Sequence, residues 1–587
     1  MRTFDFDNKE LVKKLKEVKN KVGSLSIFRL IVFIAMGASF VLAVSGHPIW
    51  FVFFLGTVTG FVILIKKYNA QKDQEAIYKA LQEINGSAEK RIKRDLKDLP
   101  TGEEFLDKRH PFANDLDLFG DHSLFQMLNH TVSTEGRKKL AERMKADFGR
   151  ENARNFRSAS LELSSKQQFL HAMEGIGKAF YKEEKSVHSW IDWLKTSESA
   201  SAMLAVFAVI GPVGGITLSL LVYLGTIPAA VLGIWILVGM IFLSMVFKRL
   251  KVASDSIPSR NQLKTYRYWL AVLEKEEFTV AALRAAQQPF RMDRVKASGL
   301  LDQLDSLGLW IQNRINLIYL PLNLLFWLDL FIYLRVTNWK KKYGEIVAKF
   351  PEELIKWEVL VSLGAFEMEV GGRGQVVETD NMLVAKELSH PLLQPEKAVA
   401  NDFKLGGNEH VILLTGSNMS GKTTFMRTIG INCVLVNLGL SPYAQEFGFG
   451  DFQLYTSMRN TDNLGESVSS FYAELSRIKQ LIDRIEAGEK IFFLLDEILK
   501  GTNTEDRIAG SEALIRQVSG TKAQGIISTH DIELAELESR MEGVHNYSFH
   551  SEIHDQRIDF DYKLKSGACP SFNAHKLMEL MGIRFQK

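Results

Sequence analysis

A glycine-rich loop over 415–424 carries the residue types that hold phosphate groups. It fits the pattern G-x-x-x-x-G-K-[ST] and follows the apolar run 411–414. Glycines let backbone N–H groups close around phosphate oxygens, and a helix that starts in the loop adds a favourable dipole. The pattern therefore predicts a nucleoside triphosphate site. Its expected binding residues are Gly416, Ser417, Asn418, Met419, Ser420, Gly421, Lys422, Thr423 and Thr424.

Two of these side chains have individual roles in such a site, and a second motif supplies the carboxylates. Lys422 is expected to reach the β- and γ-phosphates, and the Thr423 hydroxyl to bind Mg²⁺. The apolar run 491–495 has the pattern of a buried parallel strand and ends in Asp496 and Glu497. We expect Asp496 to hold the Mg²⁺ shell and Glu497 to orient or deprotonate the attacking water.

A third short strand pattern, over 525–529, ends at His530. A lone histidine at a strand end is usually structural, but its place after the acidic strand makes His530 a candidate sensor of the γ-phosphate. These groups must be positioned by strands that alternate with helices. The sequence thus predicts an α/β domain with a mainly parallel sheet over 376–587.

Motifs around these residues resemble the ATPase domain of the MutS mismatch-repair family. The resemblance implies an ABC-type P-loop ATPase that uses ATP and Mg²⁺, with Glu497, His530 and Lys422 as catalytic residues. It also implies a homodimer through the ATPase domains, in which Ser469 faces the γ-phosphate bound by the other subunit. The matching segments are Ser417-Asn418-Met419, Asp496-Glu497-Ile498, 500–504 and 528–534, together with 462–464 and 469–475 in the family's signature region.

The resemblance extends upstream into a helical core, which begins near 115–137, and downstream through 540–574. Two parts of the family pattern are not found. We expect neither a mismatch-reading module with its Phe-x-Glu motif before residue 115 nor a dimer-bracing helical hairpin after the last match. In the signature, Ser467 and Val468 replace the family's glycine and arginine, so a weaker contact between subunits is expected.

Two pairs of uncharged apolar runs predict transmembrane hairpins. The first pair is 30–44 and 49–65, and the second is 202–224 and 227–247. The runs are near or above the roughly 17 residues that span a bilayer, and the first pair lacks the polar stripe of a buried helical hairpin. Lysine and arginine crowd the outer flanks but are absent from both turns. By the positive-inside rule, both hairpins enter from the cytoplasm and return to it.

A fifth apolar stretch, 315–334, contains Asn316, Pro321, Asn323 and Asp329. A single further crossing would separate the ATPase domain from cytosolic ATP and Mg²⁺. We therefore expect this stretch to be a core or interfacial helix.

Composition fits an enzyme tethered to a membrane. The 587 residues include 72 Lys and Arg against 69 Asp and Glu, and the resulting net charge of +3 excludes a globally basic nucleic-acid-binding surface. Two cysteines, Cys433 and Cys569, form no disulfide framework. The first apolar run lacks a cleavage site, so an uncleaved anchor is expected. The expected location is the cell (inner) membrane, multi-pass, with the ATPase domain and helical core on the cytoplasmic side.

These patterns predict five consecutive regions. They are a charged amphipathic helix at 1–29, a transmembrane hairpin at 30–65, a helical linker at 66–110, a MutS-like helical core at 111–375 with the second hairpin inserted at 202–247, and the ATPase domain at 376–587.

Two hypotheses for the activity stay open. The first is a membrane-held ATPase switch that binds DNA, including mismatched DNA; it rests on the resemblance and on basic runs at 137–139 and 340–342. These runs lack the aromatic interleaving of nucleic-acid-binding surfaces. The second hypothesis is a mechanochemical ATPase or scaffold that acts on an unknown protein partner without DNA. A third class, an ABC-type transporter, is disfavoured because the signature 467–471 is not glycine-rich.

Overall fold

The computed structural model describes residues 7–46, 49–182, 187–196, 201–292, 295–417, 419–459, 470–554 and 557–570. Helices fill the chain as far as residue 370, and strands alternate with helices after it. The helices are α1 (Asn8–Ser45), α2 (Ile49–Lys93), α3 (Leu124–Leu128), α4 (Thr134–Met144), α5 (Arg150–Ser164), α6 (Gln167–Phe180), α7 (Val187–Lys195), α8 (Ala202–Tyr223), α9 (Ala230–Ser256), α10 (Arg260–Leu273), α11 (Ala281–Gln287), α12 (Ala297–Gln312), α13 (Tyr319–Phe326), α14 (Leu328–Val347), α15 (Phe350–Val370), α16 (Lys422–Asn437), α17 (Ser470–Glu486), α18 (Thr504–Ser519), α19 (Ile532–Ala535) and α20 (Leu537–Arg540). The strands are β1 (Gln375–Val376), β2 (Met382–Leu388), β3 (Asn401–Gly406), β4 (Val411–Gly416), β5 (Glu446–Phe449), β6 (Gln453–Ser457), β7 (Ile491–Asp496), β8 (Gln524–Thr529), β9 (Val544–His554) and β10 (Arg557–Ser566).

The chain folds as two compact units. The first comprises Met1–Asn85, Thr131–Gly136 and Gln168–Glu358, and the second Gly86–His130, Arg137–Gln167 and Val359–Lys587. This division differs from the predicted boundary at 375/376, because parts of the expected helical core belong to the same unit as the strands.

In the part of the chain that the structure describes, the first unit contains only helices among its regular elements and is called the helical unit below. Its first two helices, α1 and α2, form a long antiparallel pair. Asn85 Nδ2 donates to Asn8 Oδ1 at 3.1 Å, and the Arg29 guanidinium lies 4.4 Å from the centre of the Tyr68 ring. No break separates the predicted amphipathic segment from the first apolar run, since α1 is continuous. The apolar part of α2 has none of its residues buried. These two helices therefore present an uncovered apolar surface.

Among the described residues, four helices are long and apolar enough to cross a membrane, namely α1, α2, α8 and α9. A fifth candidate is broken. The helix α13 and the helical segment that begins at Leu328 meet at an angle of 85°, and would count as one span only if taken together.

The second unit is built on a six-stranded sheet in the order β10-β9-β4-β8-β7-β6. Every neighbouring pair is parallel except β9 with β10. The central strands are buried on both faces, as expected for near-continuous apolar runs covered by helices. Alternate residues supply two cores, one containing Ile412, Leu414, Phe492, Leu494 and Ile526, the other Val411, Leu413, Phe493, Leu495 and Ile527. The mainly parallel α/β sheet agrees with the sequence prediction.

A smaller mixed sheet in the order β1-β5-β2-β3 completes this unit. In the large sheet, β4, β7 and β8 are neighbours and run in the same direction. Their carboxyl ends therefore lie side by side at one edge, where the predicted site residues follow each strand.

Candidate nucleotide-binding site

The phosphate loop leaves β4 and enters α16 as the sequence predicts. Gly416 has φ +150° and Gly421 has φ +105°, a region that side chains disfavour. A Cβ atom on Gly416 would also lie only 2.8 Å from the Phe549 carbonyl oxygen. Glycine is therefore required both for the backbone turn and for the close approach of β9.

Lys422, the first residue of α16, lies buried within this loop. Its ammonium donates to the carbonyl oxygens of Gly416, at 2.7 Å, and Ser417, at 3.1 Å. Burial lowers the pKa of Lys422, while the carboxylates of Glu497 and Asp496 act in the opposite direction. The loop thus concentrates positive charge where a triphosphate would need it.

Thr423 and Asp496 come together beside Lys422. The Thr423 hydroxyl donates to Asp496 Oδ2 at 2.6 Å, and the Ser528 hydroxyl donates to Asp496 Oδ1. A hydroxyl and a carboxylate are the hard oxygen ligands that Mg²⁺ prefers. The described residues contain no cluster of three or more His, Cys, Asp or Glu that could hold a metal. A magnesium ion here would therefore rely on Thr423, Asp496, water and the nucleotide's own phosphates.

Glu497 is held by two cationic or polar partners. Lys500 Nζ lies 2.6 Å from Glu497 Oε2, and His530 Nε2 contacts Oε1. Burial raises the pKa of Glu497, but hydrogen bonds from His530 and Lys500 outweigh it and hold the value at about 2. So firmly ionised a carboxylate can accept a hydrogen bond from water, but it is a weak general base while both contacts persist.

The end of β8 sets the position of His530. Its neighbour Asp531 forms a bidentate ion pair with Arg507 of α18, at 2.9 and 2.7 Å. The Asp531 amide also donates to Thr529 Oγ1 at 3.0 Å. These contacts fix the turn that brings the imidazole to Glu497, so the two strand ends share one site.

Two residues around Glu497 received no role from the sequence. Lys500 stood in a family-like segment without an assigned function, and Glu474 lay within the signature region. Glu474 Oε1 accepts a hydrogen bond from the Leu499 amide. Burial raises the pKa of Glu474, although its backbone hydrogen bonds lower it. The helix α17, which begins within the signature region, thus contacts the loop that carries Lys500.

A cleft of about 550 Å³ opens beside the phosphate loop. Tyr562 lines it, with φ +52° at a bulge in β10 and a half-exposed ring that would lie 3.1 Å from a Cβ on Gly421. Asn401 secures this bulge by donating to the Tyr562 carbonyl at 3.0 Å and accepting from the Leu564 amide at 2.8 Å. The aromatic face can stack on a nucleotide base. Sequence reasoning missed Tyr562, which lies far along the chain from the loop.

Several predicted positions lie outside the described residues. They are Asn418 in the phosphate loop, Asp462-Asn463-Leu464, Ser467, Val468 and Ser469 in the signature, and 571–574 at the downstream match. The structure brings together Gly416, Ser417, Gly421, Lys422, Thr423, Asp496, Glu497 and His530, whereas Met419 is 82% exposed at the rim. The chemical roles of these residues stay predictions.

Comparison with known families matches residues 412–583 to MutS domain V. Curated relatives are named DNA mismatch repair protein MutS. The relative from Thermotoga petrophila is 27% identical over 255 residues, or 43% of this chain and 32% of its own length. The Aquifex pyrophilus protein is 30% identical over 231 residues, or 38% of this chain and 27% of its own length.

A third relative, from Listeria welshimeri, is 28% identical over 255 residues, which are 42% of this chain and 29% of that protein. The chain thus spans about a third or less of the length of these relatives. The matched residues include most of β4, the phosphate loop, Asp496, Glu497 and His530. Residues 412–583 therefore carry a MutS domain V, and this match confirms the resemblance to the MutS family over this part of the chain.

Proposed function

We propose that this protein is a membrane-held ATPase that works as a nucleotide-driven switch. The observation that carries the ATPase proposal is the convergence of Lys422, the Thr423–Asp496 pair and the Glu497–His530 pair at adjacent strand ends. The same edge of the sheet offers a phosphate cradle, a hard-oxygen metal ligand set and a carboxylate for water. Hydrolysis of a phosphoanhydride needs these three things.

In the proposed reaction, loop amides and Lys422 hold the triphosphate of ATP. Mg²⁺, when bound by Thr423 and Asp496, would neutralise charge on the phosphate oxygens. Glu497 orients a water for in-line attack on the γ-phosphorus, and His530 keeps the carboxylate in place. The new phosphorus–oxygen bond forms as the bond to the ADP oxygen breaks, so the products are ADP and phosphate.

The proposed switch is a homodimer of ATPase domains. Ser469 would contact the γ-phosphate on the other subunit, as the family resemblance implies. ATP then favours the closed pair and hydrolysis releases it, because only the triphosphate joins the two halves. The contact of Glu474 with the Leu499 amide supports this proposal, since it connects the signature region, which continues into α17, with the loop beside Glu497.

The membrane proposal rests on apolar surface that no other described part of the chain covers. In α1, α2, α8 and α9, few residues of the apolar windows are buried, between 0% and 17%. Water disfavours exposed apolar patches of this size, whereas a bilayer would cover them. With the lysines and arginines on the outer flanks, we place both hairpins in the inner membrane, and the ATPase domain and the rest of the helical core on its cytoplasmic side.

The partner of the switch is DNA in the first version of the proposal, since the curated relatives are named for DNA mismatch repair. One observation favours the alternative, a mechanochemical ATPase or scaffold that acts on a protein. Lys340, in one of the two basic runs, is buried and donates to Thr196 Oγ1 at 2.7 Å. In the other run, Lys139 pairs with Glu142 at 3.1 Å. Fewer cations than expected are thus left for phosphate contacts.

An ATPase assay separates the two versions. The purified protein in lipid nanodiscs is assayed without DNA, with homoduplex and with mismatched duplex, and Glu497→Gln serves as the inactive control. Stimulation by DNA that weakens steeply as salt rises would support the DNA version, since phosphate contacts release counterions. Equal rates in all three conditions would reject it in favour of a protein partner. Absence of hydrolysis in the unsubstituted protein would reject the ATPase itself.

A further inference from the structure

The segment that leads into α13, and the first turn of that helix, leave apolar side chains uncovered. Leu317 is 87% exposed, Ile318 71% and Leu320 55%. Two of these aliphatic side chains precede α13 and one lies in its first turn, and exposure of all three to water is unfavourable. The neighbours of α13 indicate what covers these side chains, because α13 packs against the membrane-type helices α8 and α9.

Small residues on α8 and α9 receive the end of α13. A Cβ on Gly215 would lie 2.4 Å from the Leu325 carbonyl oxygen, and one on Gly211 would lie 2.7 Å from Trp327 Cβ. On α9, a Cβ on Gly239 would meet the Trp327 indole at 2.1 Å. These three glycines sit near the middle of the two apolar runs. The turn at Trp327 therefore lies about halfway along the α8–α9 hairpin.

The backbone at this turn keeps its hydrogen bonds. Trp327 has φ +53°, and its amide donates to the Asn323 carbonyl at 2.7 Å. The Asn323 side chain accepts from the Asp329 amide at 2.8 Å, and Trp235 Nε1 donates to the Leu325 carbonyl at 2.9 Å. Broken helices occur at membrane depth only where protein groups satisfy the freed backbone in this way.

The chain segments before and after the turn both contact the same part of α9, near residues 247–249. Before α13, the Arg314 guanidinium lies 5.5 Å from the Phe247 ring, at the last apolar residue of its run. After the turn, the Tyr333 hydroxyl accepts from Arg249 at 2.7 Å. Arg314 joins the second arm through a bidentate pair with Asp329, at 2.8 and 2.7 Å. The chain therefore enters and leaves on the side of α9 that carries its lysines and arginines.

We propose that residues 316–327 form a half-crossing wedge that enters the cytoplasmic leaflet, turns at Trp327 near the bilayer centre and returns, with Leu317, Ile318 and Leu320 against lipid chains. This inference rests on the membrane placement of α8 and α9 proposed above. It replaces the expected core or interfacial helix by a re-entrant one. It also leaves both flanks of the segment on one side, so the number of full crossings stays even.

Depth-dependent fluorescence quenching tests the wedge in the full-length protein. An NBD dye is attached at Ile318→Cys in phosphatidylcholine–phosphatidylglycerol vesicles that contain nitroxide-labelled acyl chains. Lys341→Cys, on the exposed side of α14, is the cytoplasmic reference, and Tyr223→Cys, before the α8–α9 turn, is the reference for the opposite face. Cys433 and Cys569 are buried, and the unsubstituted protein gives the background labelling. The dye at 318 should be quenched by the lipid nitroxides and shielded from aqueous iodide on both sides.

Iodide quenching at 318 from the side that reaches Lys341→Cys would make the helix an aqueous surface and overturn the wedge. Quenching from the side that reaches Tyr223→Cys would mean a full crossing and also overturn it. Both results leave the membrane anchor intact. If alkaline carbonate releases the protein from the vesicles, the anchor itself fails and the wedge with it.

Two glycine variants test whether the contact of Gly239 with Trp327 holds the turn between α8 and α9. Gly239→Leu should expel the turn and abolish lipid quenching at 318, because a side chain there collides with Trp327. Gly233→Leu, on the same helix with nothing within 4 Å of its Cβ position, is the matched control and should leave the quenching unchanged. Equal quenching in both variants would overturn the assigned seat of the wedge.

Discussion

Asp496 in the nucleotide site and Asp329 in the helical unit are buried or partly buried carboxylates with opposite tasks. Neutral hydroxyls of Thr423 and Ser528 hold Asp496. A guanidinium and a phenol hold Asp329, which pairs with Arg314 and accepts from Tyr319 at 2.7 Å. Hydroxyl partners orient a carboxylate without cancelling its charge, whereas a bidentate arginine neutralises it. The first arrangement keeps the charge of Asp496 available for a cation. The second joins the segment before α13 to the start of α14.

The two regions also use glycine differently. In the phosphate loop, Gly416 and Gly421 adopt positive φ, so the requirement is conformational. On α8 and α9, Gly211 and Gly239 have helical backbone and serve only to admit Trp327. A loop glycine is thus recognisable from a local motif, but a packing glycine is recognisable only from its neighbour.

The largest effect is expected at the water-orienting carboxylate. Glu497→Gln should lower the turnover number about 10²–10⁴-fold, because the amide cannot serve as an ionised acceptor for the attacking water. ATP binding should persist, since Lys422 and the loop are unaltered. Single-turnover hydrolysis and binding of a fluorescent ATP analogue measure the two quantities. Glu505→Gln, at an exposed position in the first turn of α18, is the control, and an unchanged rate in Glu497→Gln would refute the assignment.

The contrast between the two aspartates predicts a crossed pair of outcomes. Asp329→Asn should destabilise the protein by about 3–5 kcal/mol, because it leaves the Arg314 guanidinium buried without its countercharge. Asp496→Asn should leave the unfolding temperature nearly unchanged without nucleotide, yet remove Mg²⁺-dependent hydrolysis. Thermal unfolding in detergent and a Mg²⁺ titration of the rate measure these effects.

The double substitution Arg314→Met with Asp329→Leu serves as the control for the first aspartate. It should recover most of the stability, since well-packed apolar side chains commonly replace a buried ion pair without loss. If Asp329→Asn were as stable as the unsubstituted protein, the ion pair with Arg314 would not stabilise the fold. The contrast between Asp329 and Asp496 would then be wrong.

A smaller effect is expected from the cation beside Glu497. Lys500→Met should raise the pKa of Glu497 from about 2 towards its ordinary 4.5, and the acid limb of the turnover profile should move to higher pH. The ionised carboxylate stabilises the fold above pH 4.5, and this contribution is lost as the pH falls towards 2. Turnover measured from about pH 2.5 to 8 tests the shift, because the acid limb is expected below pH 4.5. Lys522→Met, just before the amino end of β8 and so far from its carboxyl end, should leave the limb in place. Identical profiles for both variants would show that Lys500 does not tune the carboxylate.

The smallest effect is expected at the rim of the cleft. Tyr562→Ala should weaken ATP and ADP binding alike by about 1 kcal/mol, roughly fivefold in Kd, through loss of an aromatic face. Tyr562→Phe should bind normally, because it keeps the ring. Isothermal titration with both nucleotides makes the measurement. Equal affinities for the alanine and phenylalanine variants would place the base elsewhere.

The proximity of the candidate site residues could be predicted because these residues follow strands in a parallel sheet. Asp496 and His530 stand at the ends of buried strands, and Lys422 follows β4 after the phosphate loop. Parallel neighbours bring such positions to one edge. Tyr562 could not be found in this way. It reaches the cleft through a bulge in β10 and a hydrogen bond to Asn401, and neither leaves a local pattern in the sequence.

The membrane-type helices show the same limit from the other side. Their uncharged length is readable from hydropathy, and the four predicted apolar runs lie in helices except for residue 224 and residues 227–229. The sequence did not reveal that α1 continues unbroken from Asn8, nor that 315–334 contains an 85° break. Hydropathy sums over residues and carries no information about direction, whereas a break depends on the φ of Trp327 and the space beside Gly239.

By itself, the amino-acid sequence determined the phosphate loop, the order of its acidic and histidine partners, the parallel α/β domain around them and the positions of the apolar helices. These follow from local residue types and short spacings. Only the tertiary structure decided that Lys500 and His530 both bind Glu497, that Tyr562 borders the cleft and that Asp329 forms an ion pair with Arg314. These contacts join residues through packing, and packing is a property of the folded chain that no short stretch of sequence encodes.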